Sequence, residues 1–127
     1  MSRKIIIMAA TLSILLLLSL LEQTIVLRIT NGALENAQMV MEHIREEELD
    51  EANKKAQEMD VSWDEQAKWL DMMVDHSSTD EVRYAFSRLI AALEEQDSAT
   101  AMVYASELEG AIEHVYERQA LTIENIL

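Results

Sequence analysis

The feature that most constrains this chain is an apolar run of seventeen residues, Ile5 to Leu21, which contains no charged side chain and ends at Glu22. As a helix this run would be about 26 Å long, because each residue adds about 1.5 Å. The hydrocarbon core of a bilayer is about 30 Å thick, and the apolar residues at 25–27 extend the span into the interface. The pattern therefore predicts a transmembrane helix over residues 5–27, with the lipid bilayer as a partner.

Two other fates of this run stay open. A cleaved secretory signal has the same basic start and apolar middle, but it needs small residues at its cleavage site. The run ends at Leu20-Leu21-Glu22, and the nearest small cluster, residues 31–33, lies too far along the chain. A buried helix of a soluble core is disfavoured because the run is apolar on all sides. An uncleaved anchor is the favoured interpretation.

Basic residues that flank the run predict its orientation. Arg3, Lys4 and the amino terminus precede it, and Arg28 is the nearest Lys or Arg after it. Because cytoplasmic flanks carry an excess of Lys and Arg, the amino end is predicted to stay in the cytoplasm. We therefore expect a single-pass protein of the cell membrane. Residues 1–30 form a cytoplasmic stub and signal anchor, and residues 31–127 form an extracytoplasmic domain.

The part of the chain that is predicted to be exported is strongly acidic. All 24 Asp and Glu residues lie after residue 21, together with eight of the ten Lys and Arg residues, which gives this part a net charge of −16. Such a surface repels nucleic acid phosphates and anionic lipid headgroups, so no nucleic acid partner is expected. It can attract cations or a basic partner, although a solvated surface is the simpler interpretation.

The exported domain is predicted to be all-α. The chain has no proline and only two glycines, and apolar residues recur every three to four positions. This periodicity is typical of amphipathic helices. A further prediction is that Asn31-Gly32 forms a hinge after the anchor, although the first helix of the domain can also continue the anchor helix. Four helices are expected, over about 33–45, 49–75, 79–95 and 98–119. The apolar tail, 121–127, is expected to pack back on the bundle.

A weak internal repeat at an offset of 49 residues indicates how the helices are arranged. Ala52 and Ala56 match Ala101 and Ala105 at this offset. Small residues at these places let two helices approach closely after a short turn. We therefore predict two helical hairpins stacked into an up-down four-helix bundle. A short solenoid of the tetratricopeptide kind uses similar spacing, but it would need at least three repeats for stability.

Five residues are singled out by their position in the predicted helices. Trp63 lies in the apolar stripe of the second helix and is predicted to be in the core, whereas Trp69 flanks the stripe and is predicted to close an end of the bundle. Ser78 and Glu81 match a capping box at the start of the third helix. His76 is predicted to end the second helix, where the helix dipole favours an imidazolium.

Residues suited to catalysis or metal binding do not form a recognisable site in the sequence. A di-iron bundle site needs a Glu three residues before a His on two helices, and none of His43, His76 and His114 has this neighbour. His114 and Glu117 have the reverse order, and a capping or surface role suffices for each histidine. The chain has no cysteine nucleophile and no Gly-rich phosphate loop. We predict no catalytic, cofactor-binding or metal-ligating residue, no cofactor and no enzyme activity.

Several segments together carry a resemblance to a known family. They are the basic start and apolar anchor, Trp63 and Trp69-Leu70, Val74-Asp75-His76 before a capped turn, Leu108–His114 with Glu117, and the ending Leu121-Thr122-Ile123-Glu124-Asn125-Ile126-Leu127. With these segments the chain resembles family 4363 of unknown function, small single-pass proteins of Gram-positive, mostly clostridial, bacteria. The resemblance implies no known active site and suggests a membrane partner that is YetF-like. The family commonly has acidic residues after the histidine, where this chain has Ser77 and Ser78.

Two hypotheses for the function follow. The first is a membrane-tethered helical module that acts through protein contacts, as an accessory to another membrane protein. The second is an extracytoplasmic bundle that senses or binds a cation or small molecule between its helices. A sensor would normally need a cytoplasmic output domain, which the four residues before the anchor cannot supply.

Overall fold

The chain folds into four α-helices. The computed structural model describes residues 2–73 and 76–126, with side chains described as far as residue 118. Within these residues there is no strand, which confirms the all-α prediction. The helices are α1 (Arg3–Arg45), α2 (Leu49–Leu70), α3 (His76–Glu94) and α4 (Ser98–Ile126).

Helix α1 contains both the apolar run and the first helix of the bundle. It has 43 residues, which corresponds to about 64 Å at about 1.5 Å per residue. Its first turn is capped by Ser2, whose hydroxyl accepts a hydrogen bond from the Ile5 amide at 3.4 Å. The predicted hinge at Asn31-Gly32 is wrong and the alternative of a continuous helix is confirmed, because α1 passes through both residues without interruption. One glycine weakens a helix by only about 1 kcal/mol, and the apolar residues on both sides of it offset that loss.

The helices form the predicted up-down four-helix bundle. Helix α1 packs against α2 and α4, and α3 packs against the same two helices. The buried stripes of all four helices meet in one core, because each stripe covers one face of its helix. The largest fully buried side chains of the core are Trp63, Phe86, Leu70, Leu89, Leu93, Leu108, Ile112, Val26, Val40, Val82 and Val115.

Two turns at the same end of the bundle have matching geometry. Glu47 and Gln96 both have a left-handed backbone, with φ of 58° and 61°. The amides of Glu48 and Asp97 bond back five residues, to the carbonyls of His43 at 2.8 Å and Ala92 at 3.1 Å. This is the bonding of a Schellman helix end. The two turns are 49 residues apart, so the repeat seen in the sequence is a repeat of structure.

The buried alanines of the repeat lie just after these turns. Ala52, Ala56, Ala101 and Ala105 are all buried, with at most 1% of their surface exposed. Because alanine has a small side chain, α2 and α4 can lie close to their neighbours at this end. The burial of these four alanines is shown, and the close approach of the helices at this end stays a prediction.

The boundaries of three helices differ from those predicted. Helix α2 ends at Leu70 and not at residue 75, and α3 begins at His76 and not at residue 79. The end of α2 is tightened by short-range bonds from the amides of Met72 and Met73 to the carbonyls of Trp69 (3.2 Å) and Leu70 (2.9 Å). Helix α4 continues past residue 119 to Ile126. The expected packing of tail 121–127 lies outside the described side chains.

Candidate functional site

The amino-terminal part of α1 presents an apolar surface on all sides. Every Ile, Leu and Met from Ile5 to Leu21 exposes between 43% and 71% of its surface. Among the described residues, α1 is the one helix that is long and apolar enough to cross a membrane, by length and composition. A soluble helix would cover such residues, so this surface needs a partner outside the bundle.

Three hydroxyl side chains on this part of α1 bond within the helix itself. The hydroxyls of Thr11, Ser13 and Thr24 donate hydrogen bonds to backbone carbonyls four residues earlier, at 2.8, 2.9 and 2.9 Å. A hydroxyl that bonds its own helix does not need water. This arrangement suits a helix in hydrocarbon, where every polar group must find an internal partner.

The bundle begins at Val26. Val26 and Thr30 are each 1% exposed, and the Thr30 hydroxyl donates to the carbonyl of Val26 at 2.9 Å. Only residues 22–25 separate the apolar run from this first buried position. The exposed apolar helix and the packed bundle are therefore joined by about one helical turn, without a linker.

A groove lies between α1 and α2 above this junction. Its volume is about 190 Å³. Its wall includes the backbone of Gly32, where an added Cβ would meet nothing within 4 Å. At the groove, the indole N–H of Trp63 is buried and has no hydrogen-bond partner. The lining residues are Arg28, Ile29, Gly32, Ala33, Asn36, Met59, Ser62, Trp63, Gln66 and Phe86.

The two tryptophans have opposite environments. Trp63 is 1% exposed, as predicted for a core residue. Trp69 is 66% exposed, so the prediction that it closes an end of the bundle is wrong. The reason is its position on the last turn of α2, because the helix ends at Leu70 and the indole stays exposed there.

The start of α3 is organised differently from the predicted capping box. Ser78 lies inside the first turn of α3, is 2% exposed and has a buried hydroxyl without a partner. The neighbouring Thr79 is the buried residue that bonds, since its hydroxyl donates to Asp71 and lies 3.0 Å from the His76 carbonyl. Glu81 does not complete a box but faces α4. The capping-box prediction is therefore wrong.

The histidines form pairs with carboxylates between elements. His76 begins α3 and does not end α2, and its Nδ1 lies 3.4 Å from Asp71. His114 on α4 lies 3.2 Å from Glu81 on α3. Among the residues that the structure describes, no group of three or more His, Asp or Glu side chains could hold a metal ion.

A carboxylate cluster surrounds Arg83 between α2 and α3. Arg83 lies 3.2 Å from Asp64 and 3.4 Å from Asp80. Burial and the neighbouring Asp64 raise the pKa of Asp60 above its ordinary value, while Arg83 opposes the rise. These pairs are largely exposed, so they add little to the stability of the bundle.

Helix α4 is capped by Asp97, the residue before its first position, Ser98. Asp97 accepts hydrogen bonds from the amide and the hydroxyl of Thr100, at 3.1 and 2.7 Å. These two bonds lower the pKa of Asp97 because they stabilise its carboxylate. Asn125, which belongs to the ending that carries the family resemblance, lies in the last turns of α4, and its side chain is outside the described ones.

Two residues of interest were missed in the sequence. Thr79 could have been found by extending the stripe of Val82, Phe86 and Leu89 back by three residues, since it shares their face. Arg28 was used only to orient the anchor, yet it lines the groove. No sequence signal shows that Asp71 is the partner of Thr79, because a turn separates them.

Comparisons with known proteins give one match. The model of a family described as "Domain of unknown function (DUF4363)" matches residues 20–126. No curated protein matches the chain. No solved structure matches it either. The family match begins at the end of the apolar run and includes the whole bundle, so the chain belongs to the DUF4363 family.

Proposed function

We propose that this protein is a membrane-anchored helical module whose bundle stands outside the cytoplasm and acts through contacts with another membrane protein. The observation that carries the proposal is the exposed apolar part of α1, Ile5–Leu21, which continues without a break into the bundle. Burying such a surface in lipid removes it from water and stabilises the arrangement strongly, at about 25 cal/mol for each Å².

Charge supports the orientation. Arg3 and Lys4 lie on the short side of the apolar run, and the acidic bundle lies on the other. Lys and Arg are retained on the cytoplasmic side during insertion, so the bundle is exported. The exposed, acidic surface of the bundle then faces the outside, where it can meet a membrane protein held in the same bilayer. A YetF-like protein is the partner class that the family resemblance suggests.

The orientation can be tested with introduced cysteines, because the chain contains none. Ser106→Cys places a thiol on an exposed position of α4, and Ser2→Cys places one before the anchor. A membrane-impermeant maleimide applied to intact cells is expected to label the Ser106→Cys variant, and to label the Ser2→Cys variant only after lysis. Recovery of either variant in the soluble fraction, or the reverse labelling pattern, would contradict the proposal.

Purification tests the accessory role. The full chain, extracted in a mild detergent after cross-linking in cells, is expected to carry a second membrane protein with it. A matched control keeps the bundle intact and replaces residues 5–21 with the transmembrane anchor of another protein. It separates contacts made by the bundle from contacts made by the anchor. The bundle-dependent partner should remain with this control. If the protein is recovered alone and monomeric, the accessory role is excluded.

A second candidate function is ligand binding in the groove between α1 and α2. The unpaired, buried N–H of Trp63 beside a groove of about 190 Å³ favours it. A thermal shift screen with divalent cations, basic peptides and small polar molecules tests this function. A stabilising compound should lose its effect in Gly32→Leu, which puts a side chain into the groove, and keep it in Gly110→Leu, which lies outside the groove and where an added Cβ also meets nothing within 4 Å. Absence of any shift would remove this candidate.

A further inference from the structure

Two large apolar side chains are exposed where α2 ends. Trp69, on the last turn of α2, exposes 66% of its surface, and Met72, in the turn that follows, exposes 79%. Met72 is the most exposed of the large hydrophobic residues that the structure describes. Both side chains stand apart from the buried face of the helix, so packing within the bundle does not account for them.

The helix register places these residues beside the junction of α1. Gly32 on α1 and Trp63 on α2 line the same groove and so lie level. Helices α1 and α2 are antiparallel, so a step forward along α2 matches a step back along α1. Trp69, six residues after Trp63, therefore lies level with Val26, six residues before Gly32. Nine residues on, Met72 lies level with residue 23 by the same count.

This level coincides with the edge of a bilayer that holds the apolar run. Val26 lies five residues after Leu21, which is about 7 Å along the axis. A run of about 26 Å centred in a core of about 30 Å leaves the hydrocarbon edge about 2 Å beyond Leu21, and the headgroup layer extends about 5–7 Å further. Trp69 therefore lies within the headgroup layer, and Met72 lies at its inner edge.

The residues at this level carry both signs of charge, since the exposed Glu22 lies one residue from the position level with Met72. Arg28 and Lys68 both lie near Trp69 in height, and neither has a carboxylate within 4 Å among the described residues. Unpaired cations can bind the phosphates of lipid headgroups. The carboxylate of Asp71, which would be repelled by phosphates, is engaged by His76 and Thr79.

We infer that the end of the bundle formed by Trp69 and Met72 docks on the membrane that holds α1, with the indole in the headgroup layer. Tryptophan is enriched at this depth because its ring is apolar and its N–H can bond to water or to lipid oxygens. The inference rests on the proposed anchoring of α1. It adds that the bundle lies against the lipid surface and does not stand free of it.

Tryptophan fluorescence tests the docking, because the chain has only two tryptophans. Trp63→Phe leaves Trp69 as the single reporter, and Trp69→Phe leaves the buried Trp63 as a control. A third variant with both changes and Val103→Trp reports from the far end of the bundle, at a position that is 56% exposed. Each full-length variant is reconstituted into phosphatidylcholine vesicles that contain lipids brominated near the headgroup end of the acyl chain.

Brominated lipid is expected to quench Trp69 and to leave the Val103→Trp reporter unchanged. Acrylamide in the buffer should quench the Val103→Trp reporter more strongly than Trp69. Equal quenching of both reporters by acrylamide, with no quenching by brominated lipid, would overturn the docking and leave this surface for a protein partner. Flotation of the vesicles is measured in parallel. A variant set that does not float with the vesicles would instead overturn the anchoring itself.

A second readout avoids changing the core. Met72→Cys in the otherwise natural chain carries the only thiol, which is labelled with an environment-sensitive fluorophore. Its emission is expected to move to shorter wavelength when the protein enters vesicles, whereas a label at Ser106→Cys should not change. If the emission of the label at position 72 does not move to shorter wavelength in vesicles, the docking is contradicted. This result does not depend on the stability of the Trp63→Phe variant.

Discussion

Replacing Gly32 with alanine tests whether the anchor and the bundle share one continuous helix. A Cβ added at Gly32 would meet nothing within 4 Å, so the substitution creates no clash. Only the intrinsic preference of alanine for a helix then changes, by about 0.5–1 kcal/mol. For a bundle of about 100 residues, this difference raises the melting temperature by about 2–8 °C.

Gly110 supplies a matched control for this experiment. It lies inside α4, and an added Cβ there also meets nothing within 4 Å. Gly110→Ala should therefore raise the melting temperature by a similar amount. Both variants are measured as full-length protein in a mild detergent, by thermal melts that follow helix content by circular dichroism.

The two variants together distinguish a continuous helix from a hinge. If Gly32 occupied a bend with a left-handed backbone, an added Cβ would strain it and Gly32→Ala would lower the melting temperature. A fall at Gly32 together with a rise at Gly110 would refute the continuous helix. A rise at both positions supports it.

The remaining predictions concern the core, the start of α3 and the cap of α4. Trp63→Ala should lower the free energy of unfolding by about 3–5 kcal/mol because it empties a buried site, whereas Trp69→Ala in detergent should change it by less than about 0.5 kcal/mol; urea denaturation would show the reasoning wrong if the two losses were equal. Thr79→Val should lower it by about 1–3 kcal/mol through loss of a buried hydrogen bond, while Ser78→Ala, which removes an unpaired hydroxyl, should be neutral or stabilising; a clear loss in the Ser78 variant would restore the capping box. Because hydrogen bonds lower the pKa of Asp97 in the folded state, its carboxylate contributes stability above the ordinary pKa of 3.8 that is lost as the pH falls through the folded value. Asp97→Asn, which keeps a capping side chain, should remove this part of the acid dependence in melts at neutral and acidic pH, and an unchanged dependence would contradict the assignment.

The helices and their arrangement could be predicted from the sequence because each depends on local pattern. The stripe of Ala52, Ala56 and Trp63 fixes the buried face of α2 by spacing alone. The cap at Asp97 is local as well, because a capping residue bonds to its own helix, here three residues away. The sequence repeat at an offset of 49 residues also corresponds to two matching turns, because the conformation of a short turn depends on neighbouring residues.

The turn between α2 and α3 could not be predicted because it depends on side chains that are not adjacent in sequence. Ser78 and Thr79 both suit a helix start, and their sequence neighbours do not decide between capping and burial. The choice is made by Asp71, eight residues earlier, which accepts from Thr79. The exposure of Trp69 follows from the same turn, since it depends on where α2 ends.

The candidate site was visible in part. The apolar run of α1 is evident from composition, and the structure adds that its surface is uncovered by the bundle. The groove could not be foreseen, because its wall at Gly32 and its buried Trp63 belong to two helices whose register only packing sets. Sequence periodicity predicts which face of each helix is buried, but it does not predict the axial register of two helices that pack together.

Because α1 is unbroken, the number of residues between the apolar run and the bundle sets the rotation of the bundle about the axis of α1. One residue inserted between Glu22 and Ile25 would turn the bundle by about 100° and raise it by about 1.5 Å, whereas four residues would turn it by only about 40° from its original facing. A neighbour fixed in the bilayer would therefore meet a different side of the bundle after each single insertion. The length of this continuous helix thus determines which surface of the bundle faces a neighbouring membrane protein.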